Sequence, residues 1–246
     1  MAFTMAQYQA TLDQLSAKMG SISDHLQTVP AKAQSAADHW WIPDPIAEAI
    51  IWFGKQIIEM GTQILNTLKD LVEGAAAPIY MFIHGYEWES IRGQASGVAG
   101  EIQPNVLGST GEWQGPAATA YTKQLAPQAT AATSIATIAD KTSTSLYLCA
   151  GAGLIFYLAL AAVAAKFFLV VMASIAALAS GVFSWAGFLA LLEELGVNTT
   201  VILTAVGALS ALLTAQATQM GTLHGLAVDK AAFPGGHWPV AVNPAA

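Results

Sequence analysis

Two uncharged stretches, Leu146–Ala165 and Phe167–Leu192, with Lys166 alone between them, limit this chain more than any other feature. Each approaches or exceeds the roughly 20 residues that a helix needs to cross a bilayer. A run of about 47 residues with one charge is hard to hide in the core of a 246-residue monomer. Membrane-inserted helices are therefore expected, with a buried soluble core as the alternative. One lysine cannot by itself turn an antiparallel helix pair, so breaks are expected at Gly151 and Gly153, at Gly181 and at Gly187. Glu193-Glu194-Leu195-Gly196 reads as a firm boundary. Asn198 or Thr199 then caps a last segment, Val201 to Leu213, which continues amphipathically through Met220 and Leu223. Its apolar core of about 13 residues is short for a span and suits a buried or interfacial helix.

Charge divides the chain at the same place. Of 16 acidic residues, only Glu193, Glu194 and Asp229 follow Ser145; of nine Lys and Arg, only Lys166 and Lys230 do. Overall 10 % of residues are charged, against about 25 % in an ordinary soluble protein. The sequence thus reads as a soluble helical domain over 1–145, an apolar membrane-inserting region over 146–230 and a flexible tail over 231–246. A net charge of −7 argues against nucleic acid as a partner, since phosphate needs clustered Lys and Arg. It gives no attraction to anionic lipid either. The lone Cys149 excludes an intrachain disulfide and a multi-cysteine metal site. Met1–Gln14 is polar and amphipathic, without the basic start and apolar core of a signal peptide.

No period-two pattern is sustained anywhere, so the fold class is all-α. Met5, Tyr8, Leu12, Leu15, Met19, Ile22, Leu26 and Val29 alternate spacings of three and four and form one helical stripe. Pro30 should bend or interrupt that helix. Trp40-Trp41-Ile42-Pro43-Asp44-Pro45 is a rigid connector, with Asp44 as cap and Pro45 as first helical residue. A second helix, Ile46 to about Glu73, carries Ile50, Phe53, Ile57, Met60, Ile64, Leu68 and Leu71 on one stripe, with Gly74 as its stop. A third, roughly Ile79 to Asn105, has Trp88, Ile91, Ala95, Val98 and Ile102 on one side. A fourth starts at Pro116 and runs to about Thr144, with Tyr121, Leu125, Ala132, Ile135 and Ala139 buried and Pro127 as a kink. The stripes of the first two helices (Leu12, Leu15, Met19, Ile22, Leu26; Ile57, Ile64) are the candidate faces for pairing with a helical partner.

Chemistry-bearing residues are sparse. His84 and Glu87 stand one turn apart, but a metal needs three or four ligands; His25, His39, His224 and His237 are scattered, so ordinary structural histidines are expected and no metal. Glu87, Glu89, Glu101 and Glu112 read as a solvated helix face, because phosphate loops and nucleophile elbows are missing. No catalytic residue and no cofactor are assigned. Lys166, with apolar residues close on both sides, is expected to snorkel to the membrane interface along its alkyl stem rather than to line a polar lumen. Glu193 and Glu194 sit where a charge must reach water, in a loop at the membrane edge or as a ring at a pore mouth. Gly151-Ala152-Gly153, Ala161-Ala162, Ala164-Ala165 and Ala176-Ala177 suit close helix packing in lipid, and equally simple alanine-rich composition.

Gly111-Glu112-Trp113-Gln114-Gly115-Pro116 lies between two helical stretches. Gly115 suits a sharp reversal, Pro116 suits the first position of a helix, and Trp113 has the area to plug the open end of a helix pair. With Ala117, Ala118 and Tyr121 after it, this turn resembles the WXG100 superfamily, the helical-hairpin substrates of type VII (ESX) secretion. The resemblance covers about residues 79–145. Members that follow such a hairpin with apolar helices, the EspA-like proteins, have a similar layout. The family's export signal, a tyrosine followed four residues later by an acidic residue, has no match: Tyr86 is followed by Ser90, Tyr121 by Leu125 and Tyr147 by Gly151. The resemblance implies a WXG100-type helical partner or self-association, export signalled by that partner, and a bacterial cell envelope, actinobacterial or other Gram-positive.

The combined expectation is a non-enzymatic type VII secretion-associated protein. It pairs through its helices and inserts its apolar helices in a membrane, as an oligomeric pore or an envelope component. The rivals are a resident membrane protein with a structural or assembly role and a soluble oligomeric helical assembly.

Overall fold

Polarity along the chain gives α1 (Met5–Ala37) a start and a buried face. Thr4 is extended, and its hydroxyl accepts the Gln7 amide at 3.3 Å, which satisfies one of the unpaired donors of the first turn. Tyr8, Leu15, Ile22, Leu26, Val29, Ala33 and Ala36 are buried along the helix, at the three-and-four spacing read from the sequence. Pro30 does not interrupt α1. It sits on the exposed side, and the buried stripe continues past it, so packing outweighs one lost hydrogen bond.

The computed structural model describes residues 3–179 and 185–241. After α1 come α2 (Asp44–Val72), a 3-10 turn (Glu73–Ala76), α3 (Ala77–Glu101), the short α4 (Ser109–Glu112), α5 (Pro116–Ala179) and α6 (Trp185–Val228). Among the described residues there is no strand, and the chain is all-α. Pro43 takes the cap position of α2, and Asp44 is the first helical residue rather than the expected cap. Its carboxylate then lies in the first turn, where the helix dipole favours it.

Several expected helix ends are corrected. Gly74 does not adopt a left-handed stop; the backbone tightens through Glu73–Ala76 and returns to α-helix with Pro78 in the first turn. α5 continues through Thr144, Gly151 and Gly153, and α6 continues through Gly187, the Glu193–Gly196 segment, Asn198 and Thr199. Glutamate is a good helix former, and a glycine inside a helix costs only about 1 kcal/mol, so neither is a barrier within a long helix. Gly181 lies outside the described residues. Pro127 is also accommodated inside α5. After α6, Pro234–Gly236 forms a 3-10 turn, and the Phe233 and Trp238 rings lie 6.2 Å apart.

The chain divides into two compact units, Met1–Ile79 with Gly151–Ala211, and Tyr80–Ala150 with Leu212–Ala246. Contacts group the residues this way, whereas charge divides the sequence near Ser145.

In the first unit α1 and α2 run antiparallel. A Cβ on Gly54 would lie 2.9 Å from the Ala33 Cβ, and one on Gly61 2.7 Å from the Leu26 methyls. These two glycines, seven residues apart, let the helices approach closely. The core joins both helices to Leu154, Tyr157, Leu160, Val163, Phe167, Val171, Ile175 and Leu178 of α5 and Ile202 of α6. α1 and α5 ascend together, since Tyr8 meets Tyr157, and Lys18 and His25 meet Phe168.

In the second unit α3 runs antiparallel to the first part of α5. A Cβ on Gly85 would lie 2.9 Å from the Tyr147 ring, whose hydroxyl donates to Glu89 at 3.0 Å. Arg92 reaches Glu89 at 3.6 Å and Asp140 at 3.7 Å. Leu125, Ala132 and Ala139 are buried, as their spacing predicts, with Tyr121 and Ile135 half-buried. The α3 stripe is less covered than expected: Ile91 and Val98 are exposed and Trp88, Ala95 and Ile102 only half-buried. The first part of α5, residues 117–144, is rich in alanine and threonine, too short to cover large side chains.

Candidate functional site

α5 is apolar on all sides but covered on one. Its inner side, Leu154, Tyr157, Leu160, Ala164, Phe167, Val171, Ile175 and Leu178, is buried in the first unit. Its outer side carries Ile155, Ala162, Leu169 and Ala176, exposed at seven-residue spacing, with Lys166 on the same side. α5 and α6 are the two helices long and apolar enough to cross a membrane among the described residues. Their burial separates them. In Pro116–Leu178 the most apolar window is 44 % buried, as for a helix serving half as a soluble core. In Thr200–Val228 it is 6 % buried, so core packing does not account for its apolarity. Val201, Leu203, Leu213, Met220 and Val228 are exposed there.

The α2–α3 junction is held by two tyrosines. Tightening into a 3-10 turn disturbs the regular carbonyl pairing at the end of α2. The Tyr157 hydroxyl donates to the Leu71 carbonyl at 2.9 Å, and the Tyr8 hydroxyl donates to the Ala75 carbonyl at 2.7 Å. The rings meet edge to face at 5.6 Å. Burial, and secondarily the neighbouring Tyr157, pushes the Tyr8 hydroxyl well above the usual tyrosine range. Nearby, the Pro78 ring fills the space that a side chain on Gly153 would take. In the sequence Tyr8 lies on the α1 stripe and Gly153 in a small-residue patch. Their partners, 67 residues away for Tyr8, leave no local trace.

At the second turn, Gly115 has φ +108°, a conformation that favours glycine, and α5 begins at the next residue, Pro116. The Gly115 carbonyl accepts the Thr119 amide at 3.1 Å. Trp113 does not plug a helix end: it is 46 % exposed and rests on Tyr121, ring centroids 5.8 Å apart. With α4 inserted before it, the indole is carried to the surface.

The remaining candidate residues fall in separate places. Leu15, Ile22, Leu26, Ile57 and Ile64 are buried in the first unit's core, and Leu12 and Met19 pack against it. In this structure the chain itself covers these stripes. Lys166 and Glu193 are exposed, and the side chain of Glu194 lies outside the described residues. His84 and Glu87 pair at 2.8 Å on the surface, and among the described residues no three His, Cys, Asp or Glu converge on a metal position.

A groove of about 630 Å3 in the second unit is lined by Thr130, Thr133, Thr137, Gln103 and Asp229 among others. Its threonine hydroxyls donate to carbonyls of their own helix, Ala126, Ala129 and Thr133, at 2.8–3.0 Å, and the Asp229 carboxylate accepts the Ala231 amide. These groups hydrogen-bond to nearby backbone of their own segments. No family model matches the chain, and no related protein or solved structure matches it.

Proposed function

We propose that the chain is a non-enzymatic membrane-inserting protein of the type VII secretion pathway, made in a covered form and uncovered at the bilayer. One observation carries the membrane part: Thr200–Val228 of α6 is long and apolar enough to cross a membrane, and its most apolar window is 6 % buried, an exposure that is costly in water and favourable in lipid. α5 supports the covered form, because its apolar inner side is packed under the amphipathic helices α1 and α2. Insertion exchanges that cover for lipid tails. A WXG100-type helical partner, or a second copy, would take over the released stripes of α1 and α2. Support for the type VII part is the Trp113-Gln114-Gly115 turn, where a positive-φ glycine precedes the proline that starts α5. The proposed site is the bacterial envelope, with pore and anchor as the two end states that the vesicle test separates.

Mixing the purified chain with dye-loaded vesicles and extracting the pellet with alkaline carbonate tests this reading. Carbonate-resistant protein is expected, with dye release if the end state is a pore. Full extraction from every lipid composition would overturn insertion. A second reading, a soluble oligomeric helical assembly, is favoured by the burial of α5 within its own chain. It requires a detergent-free oligomer that ignores vesicles.

A further inference from the structure

We propose that the tryptophan tip between α1 and α2 is a docking site for an electrically neutral lipid surface. Trp40 is 94 % exposed, the most exposed of the large apolar side chains described, and Trp41 beside it is 54 % exposed with His39 stacked on its ring at 5.6 Å. Ile46 and Trp52, at the start of α2, are each 44 % exposed. An exposed indole joins an apolar body to an N–H donor, the combination that settles at the headgroup level of a bilayer.

Position and charge select the occupant. α1 and α5 run in the same direction within the first unit, with His25 against Phe168. From there α1 has 12 residues to Ala37 and α5 has 11 to Ala179, rises of about 18 and 16 Å. The tip therefore stands level with the far end of the apolar α5. Asp38, Asp44 and Glu48 flank it in the sequence, which has no Lys or Arg between Lys32 and Lys55. That acidic, lysine-free stretch is repelled by an anionic headgroup layer and tolerated by a zwitterionic one. Lipid is the partner shared with the membrane reading above, but docking by the tip does not require α5 or α6 to insert.

The test is co-sedimentation of the full chain with sucrose-loaded phosphatidylcholine vesicles, repeated with vesicles containing phosphatidylglycerol. The Trp40→Ser/Trp41→Ser variant is expected to partition about tenfold more weakly onto phosphatidylcholine, and Trp113→Ser, at a different exposed turn, to bind as the parent does. The parent is expected to prefer the neutral vesicles. Trp40→Ser alone, which removes a side chain with almost no packing, gives the same direction of change if the double variant misfolds. Equal binding by all variants overturns the proposal, as does a preference for phosphatidylglycerol. A tip variant that binds vesicles normally but loses self-association in sedimentation velocity also overturns it, in favour of a second copy as occupant. Carbonate-resistant insertion with an indifferent tip sinks this proposal alone; tip-dependent binding without insertion sinks the insertion reading alone.

Discussion

At the residue scale, the two tyrosine hydroxyls carry more than their place on a stripe suggests. Each donates to a carbonyl of the α2–α3 junction from a buried position. Replacing Tyr8 with Phe keeps the ring and leaves the Ala75 carbonyl without that donor. A buried acceptor in that state costs about 1–3 kcal/mol. Tyr8→Phe and Tyr157→Phe are each expected to lower the urea midpoint accordingly, and because the rings touch, their effects should not add. Unchanged midpoints would show that the junction holds itself. The raised Tyr8 hydroxyl adds a pH signature. Its folded form stays neutral where the unfolded chain ionises, near pH 10. Above that pH the unfolded state binds fewer protons, so this contribution is present below pH 10 and is lost as pH rises toward the folded value. Alkaline unfolding curves of the parent and Tyr8→Phe are expected to converge; parallel curves up to the alkaline limit would rule out the linkage.

At the scale of elements, α1 and α2 were legible because their apolar residues alternate cleanly and bury on one side. Close approach of the pair was not legible, since a glycine in a helix reads only as a weak point. In the structure Gly54 faces the Ala33 Cβ, which cannot move aside, Gly61 faces the ends of a flexible leucine, and Gly20 faces open space. A graded series follows. Gly20→Ala is expected to stabilise by up to about 1 kcal/mol through helix propensity. Gly61→Ala should be near neutral, with Leu26 shifting to offset that gain. Gly54→Ala should destabilise by about 1–2 kcal/mol from overpacking. Thermal melts of the three variants would reveal a different order if the helices were packed otherwise. The long helices show the opposite failure. Glycines at 151, 153 and 187 and the Glu193–Gly196 segment suggested boundaries, yet neither a glycine nor an exposed charge such as Glu193 stops a long helix. The turn at Gly115 was legible because glycine and proline at adjacent positions fix backbone angles locally. Exposure of Trp113 was not, because it depends on where α4 carries the chain.

Across the whole molecule, hydrophobicity in the sequence does not say whether lipid or protein covers it. Leu146–Leu192 reads as membrane-grade by length and charge alone, yet the same α5 residues that match a bilayer also complete a core with α1 and α2. Lys18 contributes to that cover, its ammonium 4.6 Å from the Phe168 ring centroid. A helix that fits two environments is a natural element for a protein passing from water to lipid, because the free energy of uncovering it is offset when the bilayer replaces the cover. Hydrogen exchange separates this from a permanently soluble core. In detergent-free buffer, the amides of α1, α2 and residues 154–178 are expected to exchange slowly together, as one cooperative unit. With phosphatidylcholine vesicles added, the α1 and α2 amides should exchange faster by about tenfold or more, while those of 154–178 stay slow, shielded now by lipid. If α1 and α2 remain as protected as in buffer while the protein resists carbonate extraction, insertion proceeds without uncovering α5. α6, whose most apolar window within Thr200–Val228 is 6 % buried, would then be the sole inserting element.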